Sequence, residues 1–203
     1  MNKKINLIIG SGVLGAYLAL ELLKNKEEVI VTTRSIKKKI KNYHYLKIQK
    51  KVKFIKLDVS KKTKIKKIIN EFNPDKIFYF AGQSSLTKSL NDKKGTLLSH
   101  FEGTKNFLDI IKQENLKIKF FKANSGYIFS PKKGLIDINC KFSTNSNPYI
   151  KAQQMTFKLI KKYRKFGLNL FNLVFMQIES PLRPKEFFIK KVCLGAKNKK
   201  KIE

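Results

Sequence analysis

A glycine-rich loop near the start of the chain constrains the fold more than any other feature. It has the spacing G-x-G-x-x-G and lies between an apolar run at 4–9 and a segment with leucines at helical spacing. In a strand–loop–helix unit, such glycines allow a tight turn, close approach of a pyrophosphate and packing of helix on sheet. A tight turn without a ligand is the simpler alternative. The loop predicts a dinucleotide site at a helix N-terminus, formed by Gly10, Ser11, Gly12, Val13, Leu14 and Gly15.

The rest of the chain alternates strand-like and helix-like segments. The lysine-rich stretch 37–51 has no clear pattern and is expected to be irregular or a short helix. Strands that alternate with helices predict an α/β fold, here a Rossmann-type doubly wound parallel sheet with helices on both faces. Strands are predicted at 4–9, 28–33, 52–57, 76–80, 116–122 and 168–175, and helices at 13–24, 61–72, 97–112 and 148–166.

The end of the second predicted strand bears on which nicotinamide dinucleotide is bound. A carboxylate there would accept a hydrogen bond from the 2′-hydroxyl of NAD, but the strand ends at Thr33 and Arg34 follows. A guanidinium fork suits a 2′-phosphate, and arginine is rare in this chain. We therefore predict NADP rather than NAD, with a solvated Arg34 as the alternative. Asp58 and Val59, after the third strand, occupy the usual place for a contact to the adenine amine.

The large positive charge does not by itself define a partner. The chain has 45 Lys+Arg against 14 Asp+Glu, a formal net charge of +31, and only Arg34, Arg164 and Arg183 are arginines. The lysines are spread along the chain together with many Ile, Asn and Phe, all residues with A/T-rich codons. A biased genome therefore explains the charge, and we expect no specific nucleic-acid binding. A polyanion-binding surface, or attraction of an anionic small substrate, is the alternative.

Other function classes are excluded by what the sequence lacks. No apolar run reaches the roughly 18 residues of a membrane span, and the first apolar run is interrupted by glycines with no cleavage site after it. Two cysteines, Cys140 and Cys193, are too few for a disulfide scaffold. We expect a cytoplasmic protein with reduced cysteines, no membrane partner and no metal site.

Three further segments carry the residue types of a reactive site. They follow predicted strands or begin a helix, at the edge of the sheet where open α/β folds bind ligands. Ser125 and Tyr149 supply a hydroxyl pair that can polarise a sugar carbonyl or alkoxide. The segments are Phe80 to Ser85, Asn124 to Phe129 and Pro148 to Gln153.

With these segments the chain resembles the extended short-chain dehydrogenase/reductase (NAD-dependent epimerase/dehydratase) family, and within it the GDP-mannose 4,6-dehydratase branch. The strongest link is the segment Asn172 to Arg183, which looks like the N-x-x-x-F-N-H-E-S-P-R-R signature of that branch and keeps its Glu-Ser-Pro and final Arg. Ala81 to Ser84 resembles the branch's A-A-Q-S, and Gly103 with Thr104 resembles its helix G-T.

The resemblance implies a lyase that removes water from a nucleotide-sugar in a redox-neutral cycle. Hydride leaves sugar C4 for bound NADP and returns to C6 after water is lost across C5–C6. Tyr149 matches the base at the 4-hydroxyl, and Ser125 matches the residue that hydrogen-bonds the same oxygen. The resemblance also assigns cofactor contacts to Ala81, Gly82, Gln83 and Arg183, and substrate contacts to Ser84, Ser85 and Gln177.

Several positions depart from the family pattern. Gln153 stands one helical turn after Tyr149, where the family has a lysine, and Tyr127 replaces the glutamate that moves the proton for water loss. We include both among the candidate catalytic positions. His100 stands where many relatives have Asn or Asp, although an ordinary partly buried helix histidine is the simpler interpretation. The alternatives are thus a non-catalytic NADP-binding pseudoenzyme or partial gene product, and a nucleotide-sugar epimerase or reductase.

The length also differs, since relatives continue well beyond the Glu-Ser-Pro-x-Arg element. We therefore predict a Rossmann domain at 1–176 and the start of a truncated substrate-binding region at 177–203. Relatives commonly pair through the helices predicted at 97–112 and 148–166. A homodimer or higher oligomer is the matching expectation.

Overall fold

A computed structural model describes residues 3–36, 40–132, 134–137 and 139–199. Six parallel strands form one sheet in the order β3-β2-β1-β4-β5-β6. The predicted Rossmann-type α/β fold is confirmed. The strand order reverses between β1 and β4, which is where ligands bind in such sheets. The strands are β1 (Ile5–Ile9), β2 (Glu28–Thr33), β3 (Lys53–Lys56), β4 (Lys76–Tyr79), β5 (Lys119–Ser125) and β6 (Leu170–Phe175).

Helices follow or connect the strands on both faces. The described residues also include two 3-10 turns, at Gln49–Lys51 and Gly126–Ile128, and one π-helical turn, at Leu98–Glu102. Part of the unpatterned stretch, 37–39, lies outside the described residues. The helices are α1 (Val13–Lys24), α2 (Lys41–Tyr45), α3 (Lys62–Phe72), α4 (Leu86–Asn91), α5 (Lys93–Leu97), α6 (Gly103–Gln113), α7 (Pro148–Arg164) and α8 (Phe188–Lys197).

The predicted helix at 97–112 is replaced by three successive pieces. Asp92 caps α5 by accepting a hydrogen bond from the Gly95 amide at 2.8 Å, so the helical segment begins earlier than predicted. The π-helical turn then follows, and the Tyr79 hydroxyl donates to the Ser99 carbonyl at 2.6 Å. Gly103 makes room for that hydroxyl, since a Cβ there would lie 2.2 Å from it.

The fifth strand was predicted too early along the chain. The structure starts it at Lys119, which pairs with Lys76 of β4. The preceding segment is still occupied by the end of α6, because Asn115 takes a left-handed backbone with φ 50° and the Leu116 amide bonds to the Ile111 carbonyl. The shift makes Ser125 the last residue of the strand rather than part of a following loop.

The core has two layers, one on each face of the sheet. Side chains of β1 alternate, with Leu7 and Ile9 on one face and Ile8 on the other. On the first face α3, α6 and α7 pack over a large aromatic and aliphatic cluster that includes Ile65, Tyr79, Phe107, Phe120 and Ile160. On the second face α1 and α2 cover a smaller cluster that includes Ala16, Val29, Val31 and Tyr43.

An aromatic row crosses the second face at its β5–β6 side. The rings of Phe78, Phe121 and Phe171 stack in sequence, with centroids 4.8 Å apart in both pairs and interplanar angles of 12° and 14°. Phe171, at the outer strand, is 41% exposed. The row therefore ends in solvent.

Candidate functional site

The first glycine of the loop is fixed by close backbone packing. Gly10 has a φ of +107°, and its amide donates to the Thr32 carbonyl at 3.1 Å. A Cβ at this position would lie 2.8 Å from the Ala81 amide nitrogen. Only glycine fits here, and the contact holds the β1–α1 turn against the segment that follows β4.

The N-terminus of α1 is open toward the loop. Gly12 precedes the helix in an extended conformation, with no side-chain cap among the described residues, and a Cβ added to it would meet nothing within 4 Å there. The Ser11 hydroxyl is buried and has no hydrogen-bond partner in the described part of the chain. Free amides at Val13 and Leu14, an orphaned hydroxyl and open space fit an anion at this position. The residues present therefore fit the pyrophosphate of a dinucleotide.

Gly15 is required for close packing of α1 on the sheet rather than for open space. A Cβ at Gly15 would lie 2.4 Å from the Gly10 carbonyl oxygen and 3.2 Å from a methyl of Ile8. The third glycine thus allows α1 to pack closely on the sheet, as its spacing predicts.

The ends of β2 and β3 carry the residues predicted for the adenosine half. Arg34 is exposed just after β2. The exposed Asp58 carboxylate accepts the Ser60 amide at 3.0 Å, and this bond, with the charges of Lys61 and Arg34, lowers the pKa of Asp58. Val59 is buried, and its carbonyl accepts a hydrogen bond from an asparagine side chain of α6 at 3.0 Å.

A histidine joins the loop after β4 to the predicted catalytic tyrosine. His100 lies in the π-helical turn, and its Nε2 is 2.9 Å from the Gln83 carbonyl. Its ring packs edge-on to Tyr149, with centroids 5.5 Å apart. A Cβ on Gly82 would fall 2.2 Å from the same ring. His100 is 4% exposed, so it is fully buried rather than partly buried.

Tyr149 is positioned by the start of its helix. Asn147 caps α7 by accepting the Tyr149 amide at 2.9 Å, and the same asparagine bonds to Ser89 of α4 at 3.0 Å. Gln153, one turn later, is buried, and its Oε1 has no hydrogen-bond partner among the described residues. The tyrosine is half-buried at the mouth of the site, whereas the glutamine faces inward.

Ser125 and Tyr127 differ sharply in accessibility. Ser125 is buried at the end of β5, and its hydroxyl oxygen accepts the Tyr127 amide at 3.2 Å. The Tyr127 side chain is 61% exposed. The serine lies at the carboxyl edge of the sheet, as predicted, and the tyrosine is turned toward solvent.

The residues predicted to contact cofactor or substrate, after β4 and after β6, make polar contacts to their own sequence neighbours. The Gln83 side chain accepts the Ser85 amide at 3.1 Å, Ser85 caps α4 by accepting the Lys88 amide at 3.2 Å, and Ser84 is exposed. After β6, the Gln177 amide is 3.5 Å from Glu179. Arg183 Nε lies 3.8 Å from that same carboxylate, and its guanidinium lies 3.9 Å from the Phe187 ring centroid. Roles of these residues toward ligands stay predictions.

Sequence reasoning missed one buried charge at the site. Lys122 is 1% exposed in β5, and burial lowers its pKa to about 7. Burial, together with the Lys122 charge, lowers the pKa of His100 to about 3, so this histidine is neutral. The only sequence signal was a lysine at an inward strand position, two residues after Phe120. That signal was hidden among 42 lysines, the 45 cations less three arginines.

Across the described ranges, no helix combines the length and the apolar character required to span a bilayer.

The parallel sheet, the open glycine loop and a tyrosine at the same sheet edge define a Rossmann-type domain of the dinucleotide-binding class. The chain belongs to the GDP-mannose 4,6 dehydratase family, whose family model matches residues 7–203. The resemblance predicted from sequence is thereby confirmed.

Relatives of two kinds share sequence with this chain. A GDP-mannose 4,6-dehydratase of Vibrio cholerae serotype O1 is 27% identical over 98% of this chain and 56% of its own length. A UDP-glucose 4-epimerase of Mycoplasma genitalium is 26% identical over 62% of this chain and 37% of its own length. The chain thus spans about half the length, or less, of these relatives.

Solved structures show the same fold. UDP-glucuronic acid 4-epimerase from Bacillus cereus, in complex with UDP-glucuronic acid and NAD, superposes with a TM-score of 0.85 at 19% identity. The match covers 98% of this chain and 64% of that one. A dTDP-glucose 4,6-dehydratase from Bacillus anthracis, in complex with NAD, gives 0.83 at 17% identity, covering 98% and 63%.

Proposed function

We propose that this chain forms the cofactor-binding part of an NADP-dependent nucleotide-sugar 4,6-dehydratase, a lyase acting on a GDP-mannose-like substrate. The observation that carries the proposal is the open N-terminus of α1 at the sheet edge, connected through Ala81, Gly82 and His100 to Tyr149. Family membership supports the substrate class, and the exposed Arg34 after β2 supports the 2′-phosphate.

In this proposal the glycine loop binds the cofactor, and the hydroxyl residues of the site carry out proton transfer. The amides after Gly12 hold the pyrophosphate through the helix N-terminus. When bound, the dinucleotide supplies a hydride acceptor and donor. Tyr149 takes the proton from the sugar hydroxyl as that carbon is oxidised, and Ser125 donates a hydrogen bond to the same oxygen. Both hydroxyl residues lie at the carboxyl edge of the sheet.

Nucleotide binding is the first test. Purified protein is titrated with NADPH and NADH while cofactor fluorescence is followed. Tighter binding of NADPH, lost selectively in Arg34→Gln, is expected. No binding of either nucleotide at millimolar concentration overturns the cofactor assignment. Equal affinity for both overturns the role of Arg34.

Turnover is the second test. With NADP bound, GDP-mannose is expected to yield a 4-keto-6-deoxy product, and Tyr149→Phe is expected to abolish it. Tyr163→Phe is the matched control, because that tyrosine lies on the same helix but bonds to Asp109, on α6. Product formation that survives Tyr149→Phe refutes the assigned base. Binding without turnover in any variant favours a non-catalytic NADP-binding protein.

An epimerase is the second candidate. Tyr127 replaces an acidic residue and is exposed, which removes the base for water loss, and epimerases are among the relatives. Interconversion of UDP-glucose and UDP-galactose, with no dehydrated product from GDP-mannose, would select this candidate.

The remaining proposals concern cellular location, domain organisation and oligomeric state. We propose a cytoplasmic location, supported by the free Cys140 and Cys193. Residues 177–203 are proposed to begin a substrate-binding region, supported by the separate α8 beyond the last strand. A homodimer or higher oligomer through the faces of α6 and α7 completes the proposal, and sedimentation tests it.

A further inference from the structure

A lysine is buried in β5, the strand that ends at Ser125. Lys122 pairs in register with Tyr79 of β4 and lies on the same face of the sheet. Its Nζ donates to the Ala123 carbonyl at 2.5 Å and lies 5.3 Å from the Tyr79 ring centroid. No carboxylate of the described residues lies within ion-pair distance of it. An ammonium group has three donors, so two are left unused.

β5, α7 and the π-helical turn contain buried acceptor atoms that have no hydrogen-bond partner among the described residues. The orphaned atoms are His100 Nδ1 in the π-helical turn, Gln153 Oε1 in α7, and Asn124 Oδ1 two residues along β5 on the same face as Lys122. All three are buried and have no partner in the described part of the chain. Buried polar atoms are nearly always paired, with protein or with water. Lys122 carries unused donors and these atoms are unused acceptors, but no direct hydrogen bond joins them among the described residues.

His100 connects the lysine to the tyrosine. A carbonyl oxygen only accepts hydrogen bonds, so the contact to the Gln83 carbonyl places the proton of His100 on Nε2 and leaves Nδ1 as an acceptor. The same ring packs edge-on against Tyr149. His100 thus contacts Tyr149 directly, and the charge of Lys122 is among the causes that lower the pKa of His100.

We propose that Lys122 is a positioning residue for Tyr149: acting through the neutral His100 ring, it supplies the positive charge beneath the candidate active site that Gln153 does not provide. This inference rests on the proposed function, in which Tyr149 exchanges a proton with the sugar hydroxyl. A cation near a phenol favours its ionised form and so favours its action as a base.

The charge on Lys122 depends on pH in a defined direction. The titratable groups around it are His100 from the π-helical turn, Tyr79 from β4 and, through His100, Tyr149 from α7. Burial lowers the pKa of Lys122 to about 7, so the amine is charged below neutral pH and loses its charge above it. Its support for the tyrosine is present on the acid side and absent on the alkaline side.

The first experiment needs neither cofactor nor substrate. The ¹⁵N imidazole signals of His100 are followed between pH 5 and pH 9 (roughly the range that brackets the Lys122 pKa) and are assigned with a His44→Gln variant. His100 stays neutral over this range, so an inflection near pH 7 without its own protonation reports Lys122. The inflection is expected to vanish in Lys122→Met and to persist in Lys119→Met, an exposed control on the same strand. An unchanged titration in folded Lys122→Met overturns the coupling.

The second experiment measures turnover against pH. Lys122→Met is expected to lower turnover at pH 6–7 on the order of tenfold, the effect of one nearby charge, and to flatten the profile. Lys119→Met should match the wild type. Lys122→Met/Gln153→Lys is expected to restore turnover and extend it to alkaline pH, because an added ammonium on α7 restores a cation one turn from Tyr149. Lys122→Gln provides a polar variant should the methionine variant fail to fold.

The outcomes separate the two proposals. Full turnover with an unchanged pH profile in Lys122→Met or Lys122→Gln overturns the role of Lys122 alone. Absence of product from the wild type and from Gln153→Lys overturns the proposed function, and the role toward Tyr149 with it. A lost NMR inflection with tenfold lower turnover, rescued by the double variant, supports both.

Discussion

Replacing Gly12 by alanine tests whether the glycine loop is a ligand cradle or only a tight turn. The new methyl would meet nothing within 4 Å in the described part of the chain. The backbone at Gly12, with φ −71° and ψ −169°, is one that alanine adopts freely. The remaining cost is the weaker preference for alanine at an N-cap, about 0.5–1 kcal/mol. For a domain of this size that lowers Tm by about 2–4 °C at most.

Gly15→Ala is the packing counterpart in the same loop. Its methyl would sit 2.4 Å from the Gly10 carbonyl oxygen, about 1 Å inside an ordinary contact. Overpacking of this kind costs about 1–3 kcal/mol, and the better helix propensity of alanine offsets about 1 kcal/mol of it. A net loss of up to about 2 kcal/mol is expected, or about 4–8 °C in Tm.

The assay pairs thermal melting with NADPH fluorescence titration. A methyl at Gly12 would occupy the space proposed for the pyrophosphate, so Kd is expected to rise about tenfold or more, equivalent to about 1.4 kcal/mol. Wild-type affinity in a stable Gly12→Ala protein would refute the cradle. A melting temperature as low as that of Gly15→Ala would refute the inference that the space at Gly12 is open.

Two further predictions concern stability. Tyr79→Phe removes the donor to the half-buried Ser99 carbonyl and is expected to lower the free energy of unfolding by about 1–2 kcal/mol in urea, because the π-helical turn loses that hydrogen bond; an unchanged unfolding midpoint would count against that bond. Burial raises the pKa of Glu27, but bonds from Asn6 at 2.7 Å and Lys76 at 3.1 Å lower it overall, below its ordinary value. The pair therefore stabilises the fold above the unfolded-state pKa, and its contribution is lost as pH falls through the lower folded-state value. Glu27→Gln is expected to flatten the fall in stability below about pH 4.5, and a fall as steep as in the wild type would contradict this assignment.

The sequence predicted the sheet and the glycine loop because both depend on local patterns. The apolar period of β1 and the spacing of Gly10, Gly12 and Gly15 each point to one arrangement of strand, turn and helix. The start of β5 was predicted too early because Leu116 and Ile118, which precede the strand, are apolar and extend its apolar pattern. There the left-handed Asn115 and the pairing with β4 decided the start of the strand.

The buried residues of the site could be identified only from the three-dimensional structure. The burial of Lys122 and the contact of His100 with Tyr149 both depend on the packing of α7 against β5 and against the π-helical turn. Neither follows from spacing, because the residues are far apart in sequence. Tyr127, by contrast, was a candidate from sequence that the structure leaves exposed. Its place at the family's glutamate position made it a catalytic candidate, whereas the 3-10 turn that follows the strand leaves its side chain exposed.

The row of stacked phenylalanines that ends at Phe171 bears on how the protein behaves in solution. Copies of a chain with a net charge of +31 repel one another strongly at low ionic strength. At about 0.15 M salt the Debye length shrinks to about 8 Å, so this repulsion acts only at close range. The exposed aromatic edge can then meet another copy. Added salt is therefore expected to promote self-association of this protein, and Phe171→Lys should make its scattering far less sensitive to salt.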